Sequence, residues 1–267
     1  MSNKSRPIGF FDSGVGGISI FNQVVRLLPN EHFIYLSDSK NAPYGVRLKQ
    51  EIIQLSTKNT EQLLNYDCKL IVVACNTATT NAIKELRYQF DVPFIGIEPA
   101  VKPAILNSQL KRIGVLATKG TLSSELFARS VREAVQNKIK ITEVEGVGLV
   151  EKVESGDLEN PEFIKYLKII VKPFIQDRID FLVLGCTHYS FLRPVLTQIL
   201  PTSIQIIDAA KPVAKRVNEV LIELNLKYEG LRENPQDVFY TNKDPEILRR
   251  YISENSQRKI HVAYLDF

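Results

Sequence analysis

Tryptophan is absent from this 267-residue chain, methionine occurs once, and cysteine and histidine occur three times each. Three cysteines cannot all pair, and their spacing matches no disulfide framework. The chain therefore reads as one that keeps its thiols reduced, which places it in the cytosol. No apolar run approaches the roughly 18 residues needed to span a bilayer, so no membrane partner is expected. The N-terminal MSNKSRPIGFF lacks the apolar core and cleavage site of a secretory signal. Charge of one sign is not concentrated either. The net charge is +4 with Lys and Arg dispersed, which suits a solvated surface better than a nucleic-acid footprint. No GxSxG elbow is present, which weighs against a serine hydrolase. The glycines at Gly14, Gly16 and Gly17 do not complete a dinucleotide fingerprint, because position 19 is Ser19, and no P-loop ending follows them.

What the chain does have is an ordinary globular composition, 44% hydrophobic and 24% charged. It also has enough length for one large or two medium domains. Two stretches stand out: LIVVACNT at 70–77 and FLVLGCTH at 181–188. Each is an apolar run, then a small residue, Cys, and hydrogen-bonding residues. Such a run fits a buried parallel strand, which puts Cys75 and Cys186 at carboxyl ends where ligands bind in open α/β sheets. Asn76, Thr77, Thr187 and Ser190 are types that start helices, and a thiol at a helix N-terminus has a lowered pKa. The plain alternative is that a free Cys is a small core hydrophobe. Two cysteines in matching contexts outweigh it.

In chain order the pattern predicts strands at Ile8–Phe11, Phe33–Ser37, Leu70–Ala74, Phe94–Ile97, Ile113–Ala117, 139–145, Phe181–Gly185, Ile204–Ile207 and Asp237–Thr241. Between them it predicts helices from Ile18 to about Leu28, Leu48 to the mid-60s, Thr77–Gln89, one through Leu122, Leu126, Phe127 and Val131, 161–176, one marked by Val213, Val217, Val220 and Leu224, and Pro245–Tyr251 as the last. Repeated β-α alternation indicates α/β architecture with mainly parallel sheets. The Ile-Gly strand followed by a polar turn occurs at 8–17 and again at 113–121, and each is followed later by a Cys strand. This weak internal repeat suggests two similar domains. Pro-marked connections near 98–103 and 208–212 are the candidate crossings. They divide the chain into 1–98 plus 209–267, and 99–208. Cys68 lies at a strand entrance and reads as structural.

Two thiols on opposite sides of a cleft suit proton removal and return at a carbon centre with inversion. The carbon acid is weak, so neighbouring groups must assist. Asp12 and His188 are placed for that, although Asp12 could equally be a helix cap. A Cys2His zinc site of Cys75, Cys186 and His188 is the competing chemistry, and Cys-x-His is not a usual ligand spacing.

FDSGVGG at 11–17, Pro43-Tyr44-Gly45, ACNTATTNA at 74–82, LATKGT at 116–121, LGCTHY at 184–189 and IIDAA at 206–210 run in order along nearly the whole chain. Together they closely resemble the glutamate racemases of the cofactor-independent aspartate/glutamate racemase family. The resemblance implies two α/β domains with the site in the cleft between them. It implies no cofactor, neither metal nor pyridoxal phosphate, and D-glutamate supply for peptidoglycan in the cytoplasm. It implies Cys75 as the base toward D-glutamate and Cys186 toward L-glutamate, with Asp12 and His188 assisting. Ser13, Pro43, Tyr44, Gly45, Asn76, Thr77, Thr118, Thr121 and Thr187 fall on substrate-holding positions. By the Leu-Val-Glu match in GVGLVEKVE the family's glutamate falls on Glu151, with Glu154 the alternative. The partner implied is a small molecule, D- or L-glutamate, with a homodimer as a further expectation. Aspartate-specific relatives typically carry Glu where this chain has His188, which favours glutamate. Two alternatives are an aspartate racemase and a non-catalytic protein on the same fold that binds DNA gyrase.

Overall fold

The computed structural model describes residues 3–231, 236–252 and 258–267. The chain opens with β1 (Ile8–Asp12), α1 (Ile18–Leu27), β2 (Phe33–Ser37), α2 (Lys49–Asn65), β3 (Leu70–Val73), α3 (Asn76–Gln89) and β4 (Phe94–Gly96). It continues through α4 (Val101–Asn107), β5 (Arg112–Ala117), α5 (Lys119–Leu122), α6 (Glu125–Gln136), β6 (Lys140–Glu145), α7 (Leu149–Ser155), α8 (Pro161–Gln176), β7 (Phe181–Gly185), α9 (Arg193–Ile199) and β8 (Gln205–Ile207). It closes with α10 (Ala210–Glu223), β9 (Gln236–Thr241), α11 (Pro245–Arg249) and β10 (Lys259–Tyr264). Among the described residues no helix is long and apolar enough to cross a membrane.

The strands form two wholly parallel sheets, ordered β10-β9-β2-β1-β3-β4 and β6-β5-β7-β8. The order β2-β1-β3-β4 of the first is repeated as β6-β5-β7-β8 in the second, so the internal repeat is a repeat of topology. In each sheet the chain leaves a central strand in one direction and returns on its other side. That creates a switch point, between β1 and β3 and between β5 and β7, where a crevice opens at the carboxyl ends. Strands β1, β3 and β7 are buried along their whole length, as their unbroken apolar sequences require.

Several features differ from the sequence reading, and helix α9, Pro-containing like α4, is one that was not expected. Strand β10 follows β9, so Asp237–Thr241 does not begin the last strand. Its KIHVAY is half exposed at the sheet edge and carries no continuous apolar signal. Helix α4 was not expected, because Pro103 sits within its first turn. The single helix through Leu122 and Val131 is two helices, because Ser124 caps a new start by accepting from the Phe127 amide at 3.2 Å. A six-residue 3-10 helix, Thr187–Leu192, follows Cys186 where α3 follows Cys75, and no side-chain cap bond forms there.

Candidate active site

Cys75 sits where β3 turns into α3, and its sulfur accepts from the Ala78 amide at 3.4 Å. The thiol reaches the Ser13 hydroxyl at 3.7 Å. Beside it β1 delivers Asp12, fully buried. One carboxylate oxygen of Asp12 accepts from the Gly14 amide at 2.7 Å and the other from the Thr187 hydroxyl at 3.0 Å. Burial raises the Asp12 carboxyl to about 7, against the opposing pull of the His188 charge and these two donors.

The helix N-terminus does not lower the Cys75 pKa as the sequence suggested. Burial first, and the Asp12 charge second, push the thiol well above its usual value and outweigh the Ala78 amide. The two Cys corners differ in geometry: the Cys75 sulfur caps α3, whereas no side-chain cap bond forms at Cys186.

At the second switch point Cys186 follows β7, its sulfur 3.9 Å from Nδ1 of His188. Nε2 of His188 lies 2.7 Å from Oε1 of Glu154. Burial alone would lower the His188 pKa. Its contacts with Cys186 and Glu154, and the charge of Asp12, push it well above the ordinary value instead. Burial likewise works against the Glu154 carboxylate, yet the His188 pairing and the Val15 and Ser39 donors hold it below the usual range. Both directions agree on a buried ion pair.

The carboxylate beside His188 is thus Glu154, and the Glu151 assignment is corrected: Glu151 is exposed on the outer face of α7. The apolar stripe of α7 decides this. Glu154 lies one helical turn beyond buried Val150, whereas Glu151 lies one turn beyond exposed Val147.

Glu154 reaches across from the second sheet to the first. Oε1 accepts from the Val15 amide at 2.8 Å and Oε2 from the Ser39 hydroxyl at 3.2 Å. The glycine turn makes room for this. A Cβ on Gly14 would lie 1.9 Å from Oε1 of Glu154, and one on Gly16 would lie 2.4 Å from Nδ1 of His188. The turn admits side chains from the opposite half of the molecule.

A second cluster adjoins Cys75. The buried hydroxyls of Thr77, Thr118 and Thr121 lie 2.9 to 3.3 Å apart, joining α3 to α5. Gly45 packs on Thr118, and Asn76 donates weakly to the Ile97 carbonyl at 3.5 Å. Tyr44, directly after Pro43, donates to Asp38 and accepts from Asn59 at 3.0 Å, close enough to Cys75 to feel its charge. A cavity of 430 Å³, lined in part by Thr80, Asn81 and Gly120, opens beside the threonines. Asp38 and Ser39 were not singled out in the sequence. Asp38 anchors Tyr44 and also accepts from Asn41 at 2.8 Å and Asn242 at 2.6 Å. Cys68 is buried at the entrance of β3, and burial pushes it up to about 12. Among the described residues no three His, Cys, Asp or Glu side chains are grouped as metal ligands.

Comparison with known proteins bears on the same elements. The glutamate racemase of Clostridium perfringens is 40% identical over 246 residues, covering 92% of this chain and 94% of that protein. The structure of glutamate racemase isoform RacE1 from Bacillus anthracis superposes with a TM-score of 0.87 at 28% identity, over 98% of both chains. Escherichia coli glutamate racemase, solved in complex with L-glutamate and the activator UDP-MurNAc-ala, gives 0.82 at 29% identity, over 98% of this chain and 100% of that one. The family model described as Asp/Glu/Hydantoin racemase matches residues 8–217. That span runs from the first residue of β1 into α10 and contains both switch points, both thiols and the Glu154–His188 pair, and by it the chain belongs to the Asp/Glu/hydantoin racemase family.

Proposed function

We propose that this chain is a glutamate racemase that interconverts the two enantiomers by a two-thiol proton exchange at Cα. The observation that carries the reading is the pair Cys75 and Cys186, at equivalent ends of two parallel sheets with different proton partners. Toward D-glutamate, the Cys75 thiolate takes the Cα proton, the C–H electron pair passes to the carbanion, and the Cys186 thiol protonates the opposite face. Toward L-glutamate the roles exchange.

At rest Cys75 is a thiol. Asp12, with its proton affinity near neutrality, takes that proton in this reading, and doing so removes the charge that adds to burial in holding the thiol up. On the other side, His188 held cationic by Glu154 stabilises negative charge developing on Cys186. The hydroxyls of Thr77, Thr118 and Thr121, with the amides near Gly45 and Asn76, suit the substrate's carboxylates, and Tyr44, held by Asp38, lines the same side.

Glutamate is favoured over aspartate by His188 and by the named activity of the 40% identical relative. The same reading gives residues 1–98 with 209–267 as one domain and 99–208 as the other, which assigns one sheet to each. It places the protein in the cytoplasm, where its three free thiols stay reduced and D-glutamate enters peptidoglycan.

A chiral assay of purified protein with L- and D-glutamate, without added cofactor, tests the function. Run in D2O, early product should carry deuterium at Cα while recovered substrate carries almost none. Deuterium washing into substrate, or hydrogen retained in product, would show a single shared base. Activity should survive exhaustive chelation and hydroxylamine. Comparable kcat/KM for aspartate would reverse the substrate choice.

A further inference from the structure

We infer that Ser39 is a positioning residue for catalysis at Cys186: from the first sheet's side of the cleft, its hydroxyl fixes the Glu154 carboxylate that orients His188. The inference rests on the two-thiol reading.

Glu154 makes three polar contacts, and they divide unequally. Oε1 meets both His188, at 2.7 Å, and the Val15 amide, at 2.8 Å. Oε2 has the Ser39 hydroxyl at 3.2 Å. Ser39 is itself 5% exposed and Ser37 behind it fully buried, with their hydroxyl oxygens 3.0 Å apart. Ser37 can donate to Ser39 while Ser39 donates to Glu154, so two hydroxyls align in one direction toward the carboxylate. Without Ser39, Oε2 would be a buried carboxylate oxygen short of a donor. The carboxylate could then rotate about its last bond, and Oε1 would lose its aim at Nε2. His188 stands 3.9 Å from the Cys186 sulfur, so the disturbance falls on that thiol. Cys75, whose contacts are Ser13 and Ala78, shares none of these partners.

An overall loss of rate cannot test this. The equilibrium constant of racemisation is one, so kcat/KM falls equally in both directions whichever thiol is impaired. Primary isotope effects separate the two transition states. Cys186 moves the label from Cα-deuterated L-glutamate, and Cys75 moves it from the D enantiomer.

In Ser39→Ala, kcat/KM should fall roughly tenfold, the scale of a lost hydrogen bond to a charged group. The isotope effect on kcat/KM should rise for the L substrate and fall toward one for the D substrate. Ser39→Thr, which keeps the hydroxyl, should restore the parent pair of values. Ser37→Ala should move both in the same sense by less, and it decides the matter if Ser39→Ala does not fold. Isotope effects that stay put, or that shift together, would overturn the role. A parent protein that does not racemise glutamate would instead overturn the function itself, before any variant is made.

Discussion

Cys75 and Cys186 hold equivalent places in their sheets, yet one faces a carboxylate and the other an imidazole. Their residue types and strand-end positions were legible in the sequence, because a short apolar run ending in Cys has few other readings. Their electrostatics were not. The sequence suggested a helix end that lowers both thiols, and it could not weigh burial against one amide. If the thiols divide the work, either Cys→Ser variant should lose racemisation on the order of a thousandfold or more, as for groups acting as a unit. Each should still eliminate HX from a β-substituted analogue of one hand: Cys75→Ser from the L form, Cys186→Ser from the D form. Near-normal racemisation in either would refute the mechanism. Asp12 gives a second test. Between its unfolded value of 3.8 and about 7 it is protonated when folded and ionised when unfolded. Folding takes up a proton there, so its contribution to stability falls as pH rises through that window. At about 1.4 kcal/mol per pH unit this amounts to a few kcal/mol. Asp12→Asn should therefore gain stability relative to the parent between pH 4 and pH 8 in urea titrations. A difference independent of pH would show that Asp12 is ionised throughout.

The elements that place these residues were legible in proportion to their burial. Fully buried β1, β3 and β7 are continuous apolar runs, and their bounds agree with the sequence to within a residue. Half-exposed β10 and Pro-containing α4 gave no comparable signal, because edge position and tertiary packing decide them. Helix α7 lies between these extremes. The stretch GVGLVEKVE reads in the sequence as a loop opening a helix, but the register, which decides which glutamate faces inward, needed the stripe of Leu149, Val150 and Val153. The consequence is a paired expectation. Glu154→Gln should cost racemisation roughly tenfold or more, since it breaks a buried charged hydrogen bond. Glu151→Gln should remain near the parent. Gly14→Ala should resemble Glu154→Gln in activity, because the added methyl occupies the space of the Glu154 carboxylate. An active Gly14→Ala enzyme would mean that the turn is not what seats Glu154. Kinetics with each variant, alongside circular dichroism, distinguish these outcomes.

At the scale of the whole molecule, the chain starts the first sheet, builds the second, and returns to finish the first with β9 and β10. Asn242, just past β9, reaches Asp38 beneath Tyr44, so this return also supports the site. What fastens it lies at the opposite, amino-terminal edge of the strands. Arg258 binds both carboxylate oxygens of Asp237, at the start of β9, and also the carbonyls of Pro29 and Glu31 ahead of β2. Its guanidinium lies 5.1 Å from the centre of the Phe33 ring. Nearby, Glu31 pairs with buried Lys69 at 2.6 Å and accepts from the Tyr228 amide at 2.8 Å. Periodicity could not reveal these pairs, whose members are separated by 21 to 229 residues. Arg258 and Asp237 are each 2% exposed at the side chain, so removing one leaves the other charge buried and alone. Arg258→Met should cost about 3–5 kcal/mol in urea unfolding. Adding Asp237→Leu should recover much of that loss, since an apolar pair of similar volume leaves no charge to desolvate. The folded fraction of either variant should keep the parent kcat/KM, because the pair sits at the strand ends away from both thiols. A loss of activity in protein that remains fully folded would instead connect this edge to the catalytic cleft.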